Sequence, residues 1–548
     1  MSDWWYNMPW RMIQTNLREI DTLNINAERF VADLEEFKAN VVMINAAGII
    51  ASYPTRLPFH FQSPYLEGDS LKKILAACHA AGIRVIARTD FSKIRRPIYQ
   101  MHPEWAYVSP RGNIVDYNGD IHVCICGDYQ QKYMLKTVEE LLSTHEFDGI
   151  FFNLAGFQTN DYSSVYHGIC HCDSCKERFR ATSGLDLPPA EDWDDPVFRK
   201  YSAFKKSVMR AHHEMTYNFI RGGWPNVVVV DHLEFRRGFM RLESGSAVDG
   251  PLPHWQYNAS HNTNWVVSSY PTMVSSNTTV DFISLFFRHV AVSPHEQRLR
   301  LAQNLAYGGD IDYYVIGRLD NHADRSGFAP VKEMFHHHTA NEDVYNTRTS
   351  KAKIALFWGP ATGGGEYRGW FRFLVENHHL FDVLLDDTAC EITWEKYDVL
   401  ILPDIKYMSD ELAERIDEFV SAGGTLIAVS ESSFAAEHHE PRDGPALKCL
   451  GIEKVQRIRK DMRSSYFQVD DKRRFPRFAD MDLVYIDGSY VYADYAAGAE
   501  MHLKLIPPAP WGPPERCYYS QVTDHPGFVT RPFGKGRVIY IPWLPGAL

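Results

Sequence analysis

The first part of the chain, residues 11–320, alternates short apolar runs with segments whose apolar residues recur at helical spacing. Short runs rich in apolar and β-branched residues are typical of buried strands, and the segments between them are typical of amphipathic helices. Strands that alternate with helices form parallel sheets with right-handed crossovers. The predicted strands are Arg11–Thr15, Val41–Asn45, Ile83–Ala87, Gly149–Phe152, Val227–Val230 and Ile311–Ile316, with Asp281–Phe287 as a candidate for the sixth or seventh.

About eight such strands over roughly 320 residues predict a (β/α)8 barrel, or TIM barrel, with insertions. The strand Gly149–Phe152 is followed by Asn153, a long polar loop, a cluster of cysteines and a helix-like segment. In a barrel of this kind the functional side chains lie where the strands end and in the loops that follow. We therefore expect a functional site near Asn153.

A second α/β pattern begins after a polar stretch. Its predicted strands are Ile354–Trp358, Val399–Pro403 and Thr425–Val429, and Ser409 supplies an N-cap for the helix between the last two. This pattern predicts a doubly wound domain. Short alternating strands follow from about Leu450 and predict a small β-rich domain, so we expect three domains with the ranges 1–345, 346–448 and 449–548.

The composition is that of a soluble globular protein, with 45% hydrophobic and 23% charged residues. A net charge of -12 argues against nucleic acid as the main partner, because phosphate binding requires a basic surface. The sequence shows no secretory signal and no apolar stretch long enough to cross a bilayer. The odd number of cysteines, nine, fits a reducing compartment with a metal site better than a disulfide framework. These features predict a cytoplasmic protein with no membrane or nucleic-acid partner.

Cys170, Cys172 and Cys175 form a C-x-C-x-x-C motif, and Cys126 lies 44 residues upstream of Cys170. Four thiolates satisfy a tetrahedral zinc ion, and an all-cysteine zinc site is usually closed and structural. Two alternatives stay open from the residues alone: the site could be a catalytic zinc centre that uses His171 or His167, or the cysteines could be reduced thiols without metal. Cys124 competes with Cys126 as the first ligand, but Cys126 is better placed before the helix that begins near Tyr129.

The C-x-C-x-x-C motif after the fourth barrel strand, with one cysteine far upstream, resembles the zinc cluster of glycoside hydrolase family 42 β-galactosidases. The second domain resembles the trimerisation domain of those enzymes, a glutamine-amidotransferase-like, flavodoxin-like fold, in YRGWFRFLVENHHLFDVL and YDVLILPDIKYMSDELAERIDEFVSAGGTLI. The segments RMIQTNLREID, DGIFFN, CHCDSCKERF and LAYGGDIDYYVIG resemble hypothetical glycosyl hydrolases of the same architecture. The resemblance implies an O-glycosidase with structural zinc that forms a homo-oligomer, a trimer or a dimer.

The chain departs from family 42 at the positions that carry the chemistry. In that family the fourth strand ends in Asn-Glu, whose glutamate is the general acid/base, whereas here Asn153 is followed by Leu154. The second glutamate of the family, at the seventh strand, has no clear counterpart in DFISLFFRHVAVSP. The acids must therefore lie elsewhere, or the activity is altered or lost.

Glycoside hydrolysis needs two carboxyl groups that flank the scissile bond, and barrel geometry limits the candidates to strand ends and the loops after them. These candidates are Asp90, Asp231, Glu234, Glu243 and Asp320. We take Glu243, in a loop with small polar neighbours, as the general acid, and Asp90 or Asp231 as the nucleophile or base. The residues expected to bind substrate are Asn153, which the resemblance indicates as a sugar ligand, and His167, His232, Trp255, Arg288 and Tyr313.

The sequence therefore predicts a zinc-stabilised barrel glycosidase that acts on a small oligosaccharide or glycoside, with a retaining mechanism by analogy to family 42. Two other hypotheses stay open. One is a non-catalytic sugar-binding relative that has lost its acids. The other is a zinc-dependent hydrolase or deaminase, in which the metal itself performs the chemistry.

Overall fold

The computed structural model describes residues 4–6, 8–154, 156–231, 238–246, 255–270, 272–345, 348–359, 364–386, 388–390, 392–437 and 439–548. The chain divides into two compact units, Met1–Arg348 and Thr349–Leu548. The expected β-rich domain at 449–548 is therefore part of the second unit, because its last strands pair into the same sheet as the strands before residue 448.

Unit 1 contains a closed barrel and two small additional sheets. In chain order its strands are β1 Arg11–Asn16, β2 Val41–Gly48, β3 Arg84–Asp90, β4 Lys93–Arg95, β5 Asp116–Tyr117, β6 Asp120–His122, β7 Gly149–Phe152, β8 Val228–Asp231, β9 Gly238–Ser244, β10 Met273–Val280, β11 Phe282–Ser284, β12 Phe287–Ala291 and β13 Asp310–Ile316. Its helices are α1 Ala27–Glu36, α2 Ser70–Ala80, α3 Arg96–Met101, α4 Met134–Thr144, α5 Asp173–Ser183, α6 Pro196–Gly223, α7 Asn258–Ser269, α8 Pro294–Ala306, α9 Phe328–Ala340 and α10 Glu342–Tyr345.

The barrel has eight strands in the order β1-β13-β10-β9-β8-β7-β3-β2, and every pair in it is parallel. The predicted TIM barrel is confirmed, and six of its strands were recognised in the sequence. Helix caps agree with the sequence as well, since the Asp69 side chain accepts a hydrogen bond from the Lys72 amide at the start of α2.

The sixth and seventh barrel strands are not where the sequence pattern suggested. They are β9 and β10, whereas Asp281–Phe287 contributes to the β11–β12 hairpin that follows the seventh strand. The reason is that β9 and β10 carry polar side chains that are nevertheless buried. Asn277 of β10, for example, donates to Ser244 Oγ at 2.9 Å and to Asn304 Oδ1 at 3.0 Å. Such internal hydrogen bonds allow a polar strand to be buried.

Alternate residues of the strands fill the barrel interior. The lower layer is apolar, and Trp10 stacks on Phe239 there with ring centroids 4.1 Å apart. Above it the Arg241 guanidinium donates its Nε–H to Asp312 Oδ2 at 2.8 Å, and both side chains are almost completely buried. Ser276 Oγ lies 3.3 Å from the same carboxylate oxygen. A buried ion pair therefore occupies the middle of the barrel, directly below its C-terminal rim.

Unit 2 contains β14 Ile354–Trp358, α11 Gly364–Glu376, β15 Phe381–Leu385, β16 Val399–Leu402, α12 Asp410–Ala422, β17 Thr425–Val429, β18 Ile452–Arg459, β19 Ser465–Gln468, β20 Leu483–Ile486, β21 Tyr490–Tyr495, β22 Glu500–His502, β23 Lys504–Ile506, β24 Phe528–Phe533 and β25 Gly536–Ile541. Its main sheet has the order β15-β14-β16-β17-β25-β24-β22, with the first five strands parallel. As predicted, Ser409 caps α12 by accepting from the Leu412 amide.

No helix among the described residues combines the length and the apolar character needed to cross a membrane.

Buried histidines are expected to make the stability of unit 1 depend on pH. Burial lowers the pKa of His60, His212 and His338 to about 4 each, whereas histidines in the unfolded chain titrate near about 6.5. Between these values the unfolded chain binds more protons than the folded one. We expect the free energy of unfolding to fall as pH decreases from about 6.5 to about 4, by about 1.4 kcal/mol per pH unit for each histidine. Urea unfolding of the full chain at several pH values measures this slope.

The matched variants are His60→Gln and His336→Gln. The first should reduce the pH dependence by about one proton, whereas the second changes an exposed histidine and should leave the slope unchanged. An unaltered slope in His60→Gln would show that His60 does not contribute.

Candidate functional site

A cavity of about 290 Å³ lies at the end of the barrel where the strands have their C-termini. Strands β1, β2 and β3 contribute residues to its wall, and so do the loops after β3 and β7 and the β11–β12 hairpin. The side chains most relevant to chemistry in this wall are Asn16, Arg88, Asp90, Asp120, Tyr162 and Arg288. This location is where barrel enzymes bind their substrates.

Asp90 is the last residue of β3 and is held rigidly. Its Oδ2 accepts a hydrogen bond from Asn153 Nδ2 at 2.8 Å, and its Oδ1 accepts from the amide and hydroxyl of Ser92 at 3.1 and 2.5 Å. Gly48 ends the neighbouring strand β2 with φ +120, and a Cβ there would lie 2.1 Å from the Asp90 carbonyl oxygen. The third strand can therefore approach the second closely only because position 48 is glycine.

The loop after β3 adds charged groups to the same wall. Asp120 on β6 lies 3.4 Å from Arg95 Nη1, and burial raises the pKa of its carboxyl group. Lys93 on β4 is buried, donates to Ser92 Oγ at 3.0 Å, and has its ammonium 4.8 Å from the ring centroid of Tyr162. Burial lowers the pKa of Lys93. A carboxyl group with a raised pKa in a cavity wall is a candidate proton donor.

Glu243 was expected in a loop, but the structure places it on β9, at the inner face of the barrel. Arg241 Nη1 donates to Glu243 Oε1 at 3.2 Å while Arg241 Nε holds Asp312. The Glu243 side chain is 53% exposed, so it reaches beyond the packed interior. The ion pair below it therefore fixes the direction of this carboxylate.

Tyr314, rather than the predicted Tyr313, faces the site. The Tyr314 hydroxyl accepts a hydrogen bond from Asn16 Nδ2 at 2.7 Å, and the charge of Glu243 is among the groups that act on Tyr314. Tyr313 points to the outside of the barrel, where its hydroxyl donates to Asp281 Oδ1 at 2.5 Å. Successive residues of a strand point to opposite faces. Tyr313 and Tyr314 are neighbours on β13, so one points out of the barrel and the other points into it.

Two of the other expected residues lie apart from this cavity. His167 Nε2 pairs with Asp161 Oδ2 at 2.9 Å and lines a separate cavity near Pro110. Trp255 packs against Tyr257 and His261 at the start of α7. His232 lies outside the described residues, and so do Glu234 and the side chain of Asp231. Asp320 is paired with Arg318 at 2.8 Å.

The loops after β3 and β7 meet at a buried group of cysteines. The sulfur atoms of Cys124, Cys170, Cys172 and Cys175 all lie within 4.8 Å of one another, and these thiols are not joined by disulfides. This group contains Cys124 in place of the predicted Cys126. Cys126 is buried directly beside it: its amide donates to Cys124 Sγ at 3.3 Å, and its thiol is within hydrogen-bond range of Cys124 and Cys175.

This cysteine group can hold a metal ion. Its four thiols are buried and belong to one core cluster with Tyr107, Ile169 and Phe179. Among the described residues the group includes no histidine or carboxylate, and His171 Nδ1 instead contacts the Ile169 carbonyl at 2.9 Å. Four thiolate donors in a closed, apolar setting fit a structural ion. The described geometry therefore disfavours a catalytic metal centre at this group.

Several residues of the cavity were not found from the sequence. Arg88 sits on an inward position of β3, and Asp120 and Tyr162 lie in long loops with no periodic pattern. The one available signal was alternation along β3, which places Arg88 on the same face as Asp90. No sequence signal identified Asp120 or Tyr162, because their positions depend on how the two loops meet.

Two family models match parts of the chain. Residues 26–154 match the model described as hypothetical glycosyl hydrolase 6, and residues 365–546 match the beta-galactosidase trimerisation domain. A beta-galactosidase from Bifidobacterium bifidum is 23% identical over 225 residues, which cover 37% of this chain and 29% of that protein. The chain thus spans less than a third of the length of this curated relative. The expected resemblance to glycoside hydrolase family 42 is confirmed.

Solved structures share the architecture of almost the whole chain. The alpha-L-fucosidase isoenzyme 2 from Paenibacillus thiaminolyticus has a TM-score of 0.75 at 18% identity, with coverage of 98% of this chain and 81% of that chain. The beta-galactosidase from Bacillus circulans sp. alkalophilus has a TM-score of 0.73 at 15% identity, with coverage of 98% and 86%. At these identities the likeness establishes the fold.

The Arg241–Asp312 pair allows a direct test of the barrel interior. Arg241→Met leaves a buried carboxylate without its guanidinium, and we expect the free energy of unfolding to fall by about 3–5 kcal/mol. The double variant Arg241→Met/Asp312→Leu should lose less, because it leaves no unpaired charge. Urea unfolding measures both, with Arg210→Met on the exposed face of α6 as control. Equal losses in the single and double variants would mean that the pair stabilises the barrel through packing rather than charge.

Proposed function

We propose that this protein is a glycosidase that cleaves a sugar from a small oligosaccharide or glycoside at the C-terminal rim of its barrel. The observation that carries the proposal is the cavity whose wall contains Asp90 and Asp120, with Glu243 on the adjoining inner face. Two carboxyl groups on either side of a glycosidic bond are what such hydrolysis requires. The matched glycosyl hydrolase segment, residues 26–154, ends at this rim.

The environments of the three acids support different roles. Asp90 accepts three hydrogen bonds, from Asn153 and Ser92, which stabilise a fixed negative charge. This suits a nucleophile or a base that activates water. Glu243 is the first candidate for the proton donor on position alone, because its half-exposed side chain reaches beyond the packed interior of the barrel. Asp120 is the second candidate, because burial raises the pKa of its carboxyl group. Asn153 adjoins Asp90 and is the expected hydrogen-bond partner of the sugar.

The metal of the cysteine group is proposed to be zinc, with a structural role. Thiolate sets of this kind select zinc among the common divalent ions of the cell. Cys124 comes from the loop after β3, and the other three cysteines come from the segment after β7. The ion would thereby fasten together the loops that carry Asp120 and Tyr162. The match of residues 365–546 to a trimerisation domain supports a homo-oligomer, and we propose a cytoplasmic location.

A second candidate function is sugar binding without hydrolysis. It is favoured by the fourth strand, where Leu154 follows Asn153, and by β10, whose eight residues, Met273–Val280, include no acid. These are the positions at which family 42 carries its two glutamates. Asp281, the next residue, is buried outside the barrel with Tyr313 and His322. A test of the function must therefore separate hydrolysis from binding.

The first test is a panel of aryl glycosides with the full chain. We expect release of the aryl group from at least one of them, and we expect Asp90→Asn and Glu243→Gln each to reduce kcat/KM at least about 100-fold, the size typical of lost acid–base catalysis. Asp120→Asn is compared with both to identify the proton donor. Glu139→Gln on the exposed face of α4 is the matched control. Sugar binding without hydrolysis of any glycoside would support the second candidate instead.

The second test concerns the metal. The purified protein should contain about one zinc ion per chain, and Cys124→Ser should lose it while Cys126→Ser retains it. Removal of zinc by a chelator should lower the thermal unfolding temperature, since the ion connects two loops. Elemental analysis measures the metal, with Cys517→Ser, at an exposed cysteine, as control. If Cys126→Ser lost zinc and Cys124→Ser retained it, Cys126 would be the ligand, as predicted from the sequence.

A further inference from the structure

The cavity at the barrel rim is unusually rich in arginine for a chain with a net charge of -12. Four arginines line it: Arg18, Arg88, Arg95 and Arg288. Two of them are already engaged by carboxylates. Arg18 binds Asp21 through two nitrogen atoms, with N···O distances of 2.8 and 2.6 Å, and Arg95 contacts Glu19 and Asp120. These two guanidinium groups are therefore structural components of the wall.

The other two, Arg88 and Arg288, have no carboxylate partner among the described residues within 4.0 Å, the distance that defines an ion pair. The Nε of Arg88 is buried and has no hydrogen-bond partner in the described part of the chain. Arg288 donates its Nε–H to the Leu285 carbonyl at 3.2 Å. A buried guanidinium donor without an acceptor is costly, and a water, an anion or a ligand supplies the missing acceptor.

Arg88 and Arg288 come from different parts of the barrel but act on the same two side chains. Arg88 is on β3, and Arg288 is on β12 in the hairpin after the seventh strand. Burial raises the pKa of Tyr162 to about 12, and the positive charges of both arginines oppose that rise. Burial also raises the pKa of Tyr314, and the positive charges of Arg88 and Arg288 oppose that rise as well. The shared geometry is the cavity itself, because Arg88, Arg288 and Tyr162 all line it.

Tyr162 completes this side of the cavity. Its ring is 36% exposed, and the Arg288 guanidinium lies 5.8 Å from the ring centroid. The Lys93 ammonium lies 4.8 Å from the same centroid, and the charges that favour its protonated form are those of Asp90 and Asp120. Lys93 is thus balanced by acids of the wall. Arg88 and Arg288 are the lining arginines that form no ion pair with a described residue.

We propose that the sugar bound at this site carries an anionic group, a carboxylate, sulfate or phosphate, that Arg88 and Arg288 bind. This inference rests on one part of the proposed function, namely that the ligand is a sugar, and it does not require that the sugar be hydrolysed. Guanidinium groups donate paired hydrogen bonds to planar carboxylates and to the oxygens of sulfate and phosphate, and these charge-assisted bonds are among the strong ones. A neutral sugar could offer hydroxyl oxygens to both guanidinium groups, but it would not balance their charges.

Tyr162 lines the same cavity and is partly exposed, so it can contact the rest of such a ligand. Sugar rings pack on aromatic faces through their apolar C–H surface, and the Tyr162 ring lies beside the two arginines. Asp90 lies on the same wall. In this arrangement the anionic end of the ligand lies at Arg88 and Arg288. The end where a bond would be cleaved lies at Asp90.

The experiment compares aryl glycosides in matched pairs with the full chain: glucuronide with glucoside, galacturonide with galactoside, and 6-sulfated and 6-phosphorylated glycosides with their parents. Binding of the free sugars is measured by calorimetry in parallel. We expect at least one anionic member to exceed its neutral partner at least 30-fold in kcat/KM or in affinity. The pair that shows the preference identifies the anionic group as a carboxylate, a sulfate or a phosphate.

Variants then assign the preference to the two arginines. Arg288→Gln and Arg88→Gln should each reduce the anionic preference at least tenfold, mainly through KM, and Arg288→Lys should restore part of it because the charge is kept. Arg210→Gln, at an exposed arginine of α6, is the control. Thermal unfolding of every variant is recorded. Within each variant, the kcat/KM for the anionic substrate is divided by that for its neutral partner, because a loss of folded protein lowers both values equally.

The outcomes separate this inference from the proposed hydrolysis. If every neutral glycoside were hydrolysed and bound at least as well as its anionic partner, the anionic site would be contradicted but the glycosidase activity would not. Binding of an anionic sugar that depends on Arg288, with no hydrolysis of any glycoside, would support the anionic site and overturn the glycosidase. No binding and no hydrolysis of any anionic member would overturn the anionic site. A preference that survives both Arg→Gln variants would also overturn it, because the arginines would then not be its cause.

Discussion

The ion pair between Arg241 and Asp312 is the interaction on which the candidate site most depends. It lies between the apolar lower layer of the barrel, which includes Trp10 and Phe239, and the polar rim. Through its second nitrogen the same guanidinium contacts Glu243. A charged group inside a barrel is costly unless it is paired, and here the pairing also sets the direction of a carboxylate. The interior thus supports both the stability of the barrel and the geometry of its rim.

The rim includes two long loops in addition to the strand ends and the β11–β12 hairpin. The loop after β3 carries Asp120, and the loop after β7 carries Tyr162. The buried cysteine group joins them, with one thiol from the first and three from the second. Because these thiols are in a closed apolar cluster away from the cavity wall, they can fix the loops without taking part in the chemistry. This arrangement separates structural support from reactivity.

The departure from family 42 has a physical interpretation. The fourth and seventh strands lack the acids of that family, while the third and sixth strands carry Asp90 and Glu243 on the inner face. A barrel presents the ends of all eight strands to one cavity, so acids on different strands can meet the same substrate. Arg88 and Arg288, which form no ion pair within the described part of the chain, point to a ligand chemistry that the resemblance does not imply. The fold is shared with solved structures at low identity.

The sequence alone determined the barrel, because six strands, such as Val41–Gly48, are apolar runs whose burial is visible in their composition. It also determined that three cysteines at C-x-C-x-x-C spacing would converge. It missed β9 and β10, whose polar residues are buried only because neighbouring strands supply hydrogen bonds. It predicted Tyr313 at the site, where the structure has Tyr314, because a shift of one position along a strand reverses a side chain's direction. It preferred Cys126 to Cys124, whereas the group of four sulfur atoms contains Cys124. Only the tertiary structure decided these, because register and loop contacts are set by residues distant in the chain.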